Sequence, residues 1–260
     1  MKASRGALPG LVLALACLAI GSARAADKAP ASAFAGQWEI ERVLPDQGDP
    51  TRWAIRTNSP PLMYRRFVIT DSTAGFADGE PCQQRWIARS STWGELFRIG
   101  FLRGPGPARA VHPEPEDFAL VISKQTRVKA YPLCFEPNAK NPWLGGQWVV
   151  FEGSDRMIMH FDETLIFVLR RVPERERPQA SFSCAEAATP TEKAICGNAE
   201  LASWDRSVAE ALRQLAWRGA NADEIHDEQR AWLRARDQCG ANAACLATSM
   251  RNRTWELASW

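Results

Sequence analysis

The chain has 260 residues, 45% of them hydrophobic and 24% charged, which is material for an ordinary core and about two domains. A formal charge of +2 predicts neither nucleic-acid binding nor a strongly acidic partner. Eleven Trp against two Tyr leave many large apolar anchors to place.

Lys2 and Arg5 precede an apolar run from Leu11 to Ile20, and Ala23-Arg24-Ala25 closes it. This is the pattern of a secretory signal peptide over residues 1–25, cleaved near Ala25. The rival is a lipoprotein anchored through Cys17. It fits less well, because Ala14 stands where a lipobox prefers Leu and the apolar run continues past Cys17. No later segment approaches the about 20 apolar residues that span a membrane. The expectation is a soluble, exported chain, periplasmic or secreted. Of the seven cysteines Cys17 lies in the leader, and the remaining six are an even set in an oxidising compartment. Zinc would want tight C-x-x-C knuckles and free thiolates, and export argues against it.

Residues 26–172 have the texture of a strand-rich domain. Short β-rich runs lie at 37–43, 66–70, 84–88, 96–101, 118–122, 129–135, 147–151, 156–161 and 164–170. The last two predict a hairpin across Asp162-Glu163, with Met157, Met159 and Phe161 on one face. Pro and Gly clusters at 59–61, 104–107 and 112–115 mark loops. The spacing predicts a closed antiparallel barrel or a sandwich. Gly36-Gln37-Trp38 opens the first strand and Arg170-Arg171 ends the last. Those ends resemble the lipocalin-like barrels, in which a G-x-W motif plugs the base and a final-strand Arg packs over the Trp. The resemblance implies Gly36, Trp38 and Arg170 as the barrel base. A second G-x-W stands at Gly146-Gln147-Trp148. Residues 173–180, charged and Pro-bounded with little to bury, read as a linker.

Residues 181–260 change to helical periodicity. Thr189-Pro190-Thr191-Glu192 is a capping box, Asn221 with Glu224 repeats the device, and Asn198 and Asn242 are further caps. Leu201, Trp204, Val208, Ala211, Leu212 and Leu215 recur every three or four residues, so one face of that helix is meant to be buried. Trp232, Leu233, Leu246, Met250 and Leu257 can close the core, while Trp255 and Trp260 are less needed inside. The fold class expected is thus α+β in separate domains, a lipocalin-like antiparallel β-barrel followed by a disulfide-stapled small helical bundle.

The helical third resembles the bacterial lysozyme-inhibitor LprI-like domain. The matching features, in order, are Cys184, Thr189 to Cys196, Leu201, Asp205-Arg206, Gln229 to Cys239, Cys245-Leu246 and Arg253. It departs where that family carries tyrosines, having Leu212 and Met250. If each domain keeps its own cysteines, Cys82 pairs with Cys134, and the four helical cysteines pair in one of several ways. Cys184 with Cys196 and Cys239 with Cys245 is favoured, since each closes a short local loop. The resemblance implies inhibition of a lysozyme by occluding its cleft.

Catalytic sets are missing: no serine sits in G-x-S-x-G and no glycine loop fits a P-loop. His112, His160 and His226 fall in a Pro-rich loop, a strand and a helix, so neither an enzyme nor a cofactor is expected. Asp223, Glu224, Asp227 and Glu228 crowd one helix start. The helix dipole alone rewards carboxylates there, by about 0.3–1 kcal/mol each. The functional reading is that they meet a basic partner such as a lysozyme. Two other classes compete, a carrier of a small apolar ligand in the barrel and an envelope protein that recruits a partner through the helices. A barrel with spare apolar volume would favour the carrier, and a filled one the partner readings.

Overall fold

The computed structural model describes residues 33–48, 55–101, 111–134, 147–162 and 164–260. The expected leader, Cys17 and Gly146 lie outside the described residues, as do the loop at 104–107 and Glu163 of the expected hairpin turn. Among the described residues nine strands form one sheet: β1 (Gly36–Pro45), β2 (Arg66–Ile69), β3 (Thr73–Phe76), β4 (Cys82–Gln83), β5 (Arg89–Thr92), β6 (Arg127–Pro132), β7 (Trp148–Glu152), β8 (Arg156–Asp162) and β9 (Leu165–Val172). The order is β4-β3-β2-β1-β9-β8-β7-β6-β5, with antiparallel pairing throughout. β1 lies beside β9, so the meander curls back on itself, while the two edge strands β4 and β5 do not pair. The sheet is therefore a curled half-barrel. Other bonds bridge its seam: Cys82 is disulfide-linked to Cys134, and the Gln84 amide donates to Pro132 O and accepts from Cys134 N.

Strand alternation builds two apolar layers, one on each face. The inner layer holds Trp38, Ile40, Phe67, Val149, Met157, Met159, Phe167 and Leu169. The outer one holds Val150, Ile158, Ile166 and Val168. A bulge between Ile40 and Arg42 shifts the register of β1. It keeps Val43 on the inner face and turns Leu44 outward. Aromatic rings fill the inner face: Phe34 stacks on Phe151 at 3.8 Å, and Trp38, Trp86 and Tyr131 surround them.

The expected strand at 96–101 is instead a helix, α1 (Trp93–Gly100), lying on the outer face. The Thr92 hydroxyl accepts from Glu95 N at 3.2 Å and Glu95 reaches back to Thr92 N at 2.9 Å, which closes a capping box. Trp93, Leu96, Phe97 and Gly100 then recur at helical spacing on the buried side. Gly100 allows a close approach, since a Cβ there would stand 3.0 Å from Trp148 Nε1 and crowd the His160 ring. Residues 84–88 form no strand beyond the Cys82–Gln83 pair, and a 3₁₀ turn, Pro115–Phe118, takes the place of the strand expected at 118–122.

The last third forms α2 (Pro190–Gly197), α3 (Ala199–Trp217), α4 (Ala222–Asp237) and α5 (Ala243–Ser259). Each starts at its expected cap. Thr189 and Glu192 make the capping box, and Asn198, Asn221 and Asn242 accept amides of the first turns. At Asn221 the cap is single, through Asp223 N at 3.1 Å. Leu201, Trp204, Val208, Ala211 and Leu215 of α3 meet Ile225, Leu246, Met250 and Leu257, with Trp232 half-buried against them. Disulfides join Cys184 to Cys196 and Cys239 to Cys245. The helices are not held apart from the half-barrel: α3 rests on it through buried polar groups.

Candidate functional site

The contact between the two parts centres on Glu39 of β1, which is 2% exposed. Arg206 of α3 donates to both its oxygens, at 2.6 and 3.2 Å. Arg170 donates at 2.7 Å, and Arg66 lies at 3.4 Å. Glu176 supplies a second carboxylate by accepting twice from Arg170 at 2.7 Å, which holds its carboxyl below the usual carboxylate range. Beside this cluster Arg65 stacks over Trp204 at 3.3 Å and donates to Ser203 and Ser207. Burial pushes Arg65 down to about 9, so it is still a cation at neutral pH. The Ser203 and Ser207 hydroxyls donate to the Tyr64 and Met63 carbonyls. Glu176 belongs to the stretch expected to be a linker, and its bonds to Arg170 pin that stretch to the sheet.

Several of the other residues that carry the LprI resemblance are used inside the helical module. Thr191 donates to Gly240 O at 3.0 Å, which ties α2 to the turn before α5. Asp205 accepts from Ser181 N at 2.6 Å and faces Arg236 at 4.0 Å. Arg253, 4% exposed, reaches Gln229 and Glu228 across the α4–α5 contact and Glu256 three residues on in its own helix. Met250 is fully buried and Leu212 half-buried, so both positions where the family carries tyrosine face the core here. Of the motif, Arg206 is the residue that leaves the module for the sheet.

The acidic turn is where the sequence places it. Asp223, Glu224 and Asp227 are exposed and Glu228 is half-buried on the first turns of α4. Asp227 pairs with Arg230, three residues on, and Glu228 lies 3.8 Å from Arg253. Asp223 and Glu224 make no ion pair with the described residues and carry the negative charge still open to a partner.

At the expected barrel base, Gly36 adopts φ +136°, and a Cβ there would meet the Arg171 guanidinium at 3.2 Å. Trp38 is fully buried and donates from Nε1 to Phe34 O at 3.1 Å. The residue over its ring is Arg171, at 4.6 Å, and not the expected Arg170. Register explains the difference: Trp38 pairs with Arg171 and Glu39 with Arg170, so the two arginines point to opposite faces. Among the histidines, His160 is buried against Phe101 and Trp148, His112 meets Phe101 O, and His226 is exposed on α4. No group of three or more His, Cys, Asp or Glu suited to a metal occurs among the described residues. None of the described helices is long and apolar enough to cross a membrane.

One further feature joins residues remote in sequence. Where α3 ends, Arg56, Gln214 and Arg218 line a pocket of 120 Å³ that also touches Trp255. The same three residues border an adjoining hollow of 490 Å³ whose wall includes Trp217. Trp217 follows the apolar stripe of α3 and reads as its last turn, while Arg56 is remote in sequence, so no local signal joins them.

Residues 184–257 match the family model described as Lysozyme inhibitor LprI, which places that domain over α2 to α5. No curated protein and no solved structure matches the chain.

Proposed function

We propose that this is an exported envelope protein that binds and inhibits a lysozyme through its helical module. The family match over residues 184–257 carries the reading, since the matched description names an inhibitor and not a catalyst. Three disulfides support an oxidising compartment, which fits a leader over residues 1–25 and a periplasmic or secreted place for the mature chain. The acidic start of α4, with Asp223 and Glu224 open to solvent and Asp227 and Glu228 beside them, suits the surface of a basic enzyme. There it mainly speeds association. The half-barrel acts as the platform on which α3 is fixed; Gly36 and Trp38 under a final-strand arginine support its likeness to lipocalin-like barrels. Its inner face is filled by Phe34, Trp38, Trp86, Tyr131 and Phe151. That filling favours a protein partner over an apolar ligand.

The test is lysis of a cell-wall suspension by lysozymes of several types, with the mature chain added. Inhibition at micromolar concentration is expected, weakening with salt as the Debye length shrinks below about 10 Å at 0.1 M. Amide replacement of Asp223, Glu224, Asp227 and Glu228 should slow association while helix content stays constant. Lysozymes of every type left unaffected would sink the reading.

A further inference from the structure

Thr191, Asp205, Arg206 and Arg253 of the motif are engaged in contacts inside the molecule, and the surface outside the motif offers a different set of residues. The corner where α3 turns into α4 has the composition of a contact with a partner. Trp217 is 90% exposed and Trp255 52%, while most large apolar side chains among the described residues are buried. Arg56 and Arg218 line both the pocket and the hollow between these rings. Neither guanidinium makes a hydrogen bond or ion pair with the described residues. Partial burial and the nearby Arg56 charge push Arg218 below the ordinary arginine value. A cation at the C-terminus of α3 is favoured by the helix dipole. That accounts for Arg218, but not for Arg56 or for two exposed tryptophans. Two guanidiniums without a counter-ion among the described residues, flanked by indole rings, ask for a paired anion in an apolar setting.

We propose that this corner enters the cleft of the lysozyme, where Arg56 and Arg218 meet the catalytic carboxylates and Trp217 lies against the sugar-binding wall. The inference rests on the inhibitor reading and names the surface that performs it. A glycoside hydrolase carries a pair of carboxyl groups about 5–10 Å apart across the scissile bond, at least one of them ionised in the resting enzyme. Such a cleft offers carboxylates in a partly dry setting, where a guanidinium fork gains most. Trp and Arg are also the residues that dominate binding energy at the centres of interfaces. Asp223 and Glu224 follow Arg218 by five and six residues, so they stand beside the inserted corner, where the basic rim of an enzyme would face them. Cation inward and carboxylates outward make one bipolar contact.

The experiment uses the full mature chain, its R56Q/R218Q double variant, the Trp217→Ala variant and the charge-preserving Arg218→Lys variant. Each is assayed for inhibition of a lysozyme and for affinity toward that lysozyme and its catalytic carboxylate-to-amide form. Circular dichroism and melting temperature report folding. The double variant and Trp217→Ala should each raise the inhibition constant at least tenfold with an unchanged melting temperature, and Arg218→Lys should fall between. Against the amide lysozyme the parent and the double variant should bind alike, since the coupling between arginines and carboxylates is then already gone. A parent that inhibits while the double and Trp217→Ala variants inhibit equally well overturns the corner and leaves the inhibitor reading standing. A loss that persists in full against the amide lysozyme also overturns it. A parent that inhibits no lysozyme overturns both.

Discussion

Removing the Glu39 carboxylate would leave Arg66, Arg170 and Arg206 facing one another with Glu176 as their remaining counter-ion. Breaking a buried charge cluster from one side costs about 3–5 kcal/mol, because the partners stay buried and uncompensated. Glu39→Ala should therefore lower stability to urea by about that amount, and a loss within about 0.5 kcal/mol, the range of an ordinary surface change, would contradict the cluster. Glu176 gives a test by pH. Its carboxyl is held below the usual carboxylate range, chiefly by the hydrogen bonds from Arg170. The unfolded chain then takes up this proton at a higher pH than the folded one, so the contribution is complete above about pH 4.3 and fades as pH falls through the lower folded value. The difference in melting temperature between the parent and Glu176→Gln should be constant from neutral to mildly acid pH and vanish at strongly acid pH. A difference that grows on acidification would reverse the sign of the argument.

At the scale of elements, the legible parts were those whose signals are local. The caps at Thr189, Asn198, Asn221 and Asn242 and the stripe from Leu201 to Leu215 each declare a helix within a few residues, and each helix lies where it was expected. The run Phe97-Arg98-Ile99-Gly100-Phe101 alternates as a strand does, yet Leu96 and Phe97 also sit at helical spacing from Trp93 and Gly100. The Thr92–Glu95 capping box decides between them, a signal as plain in sequence as the one at Thr189. β3 and β5 were not legible: Thr73–Phe76 contains a glycine, Arg89–Thr92 is polar, and their places come from their neighbours. The choice between Arg170 and Arg171 turned on a register that only the paired strands define. Disulfides carry the predictions here. Denatured mature protein should titrate with no free thiol, and two or more reactive thiols would reopen the assignment. By loop length, Cys82–Cys134 closes 52 residues and Cys239–Cys245 closes 6. In the chain-entropy account these are worth about 4 and about 2 kcal/mol. The pair Cys82→Ala/Cys134→Ala should thus destabilise more than Cys239→Ala/Cys245→Ala, as read by urea midpoints, and the opposite order would show that the seam is held by its other bonds.

The two textures of the whole molecule, strand-rich and then helical, are plain in the sequence. What joins them is not, because Glu39 and Arg206, or Arg65 and Trp204, are far apart in the chain and each alone reads as an ordinary surface or core residue. The same distance hides the pairing of Arg56 with Arg218. The buried contact of α3 with the sheet predicts that both parts unfold together, in one calorimetric transition whose measured and van't Hoff enthalpies agree. Two resolved transitions would mean that the polar contact contributes little to coupling.

If the corner between α3 and α4 enters the cleft of a lysozyme, as proposed, calorimetric titration of the chain into a lysozyme, free and then saturated with a cleft-filling oligosaccharide, reads it directly. Insertion into the cleft predicts binding of one chain per enzyme that the oligosaccharide abolishes. Absence of binding, or binding that the filled cleft leaves unchanged, would contradict it.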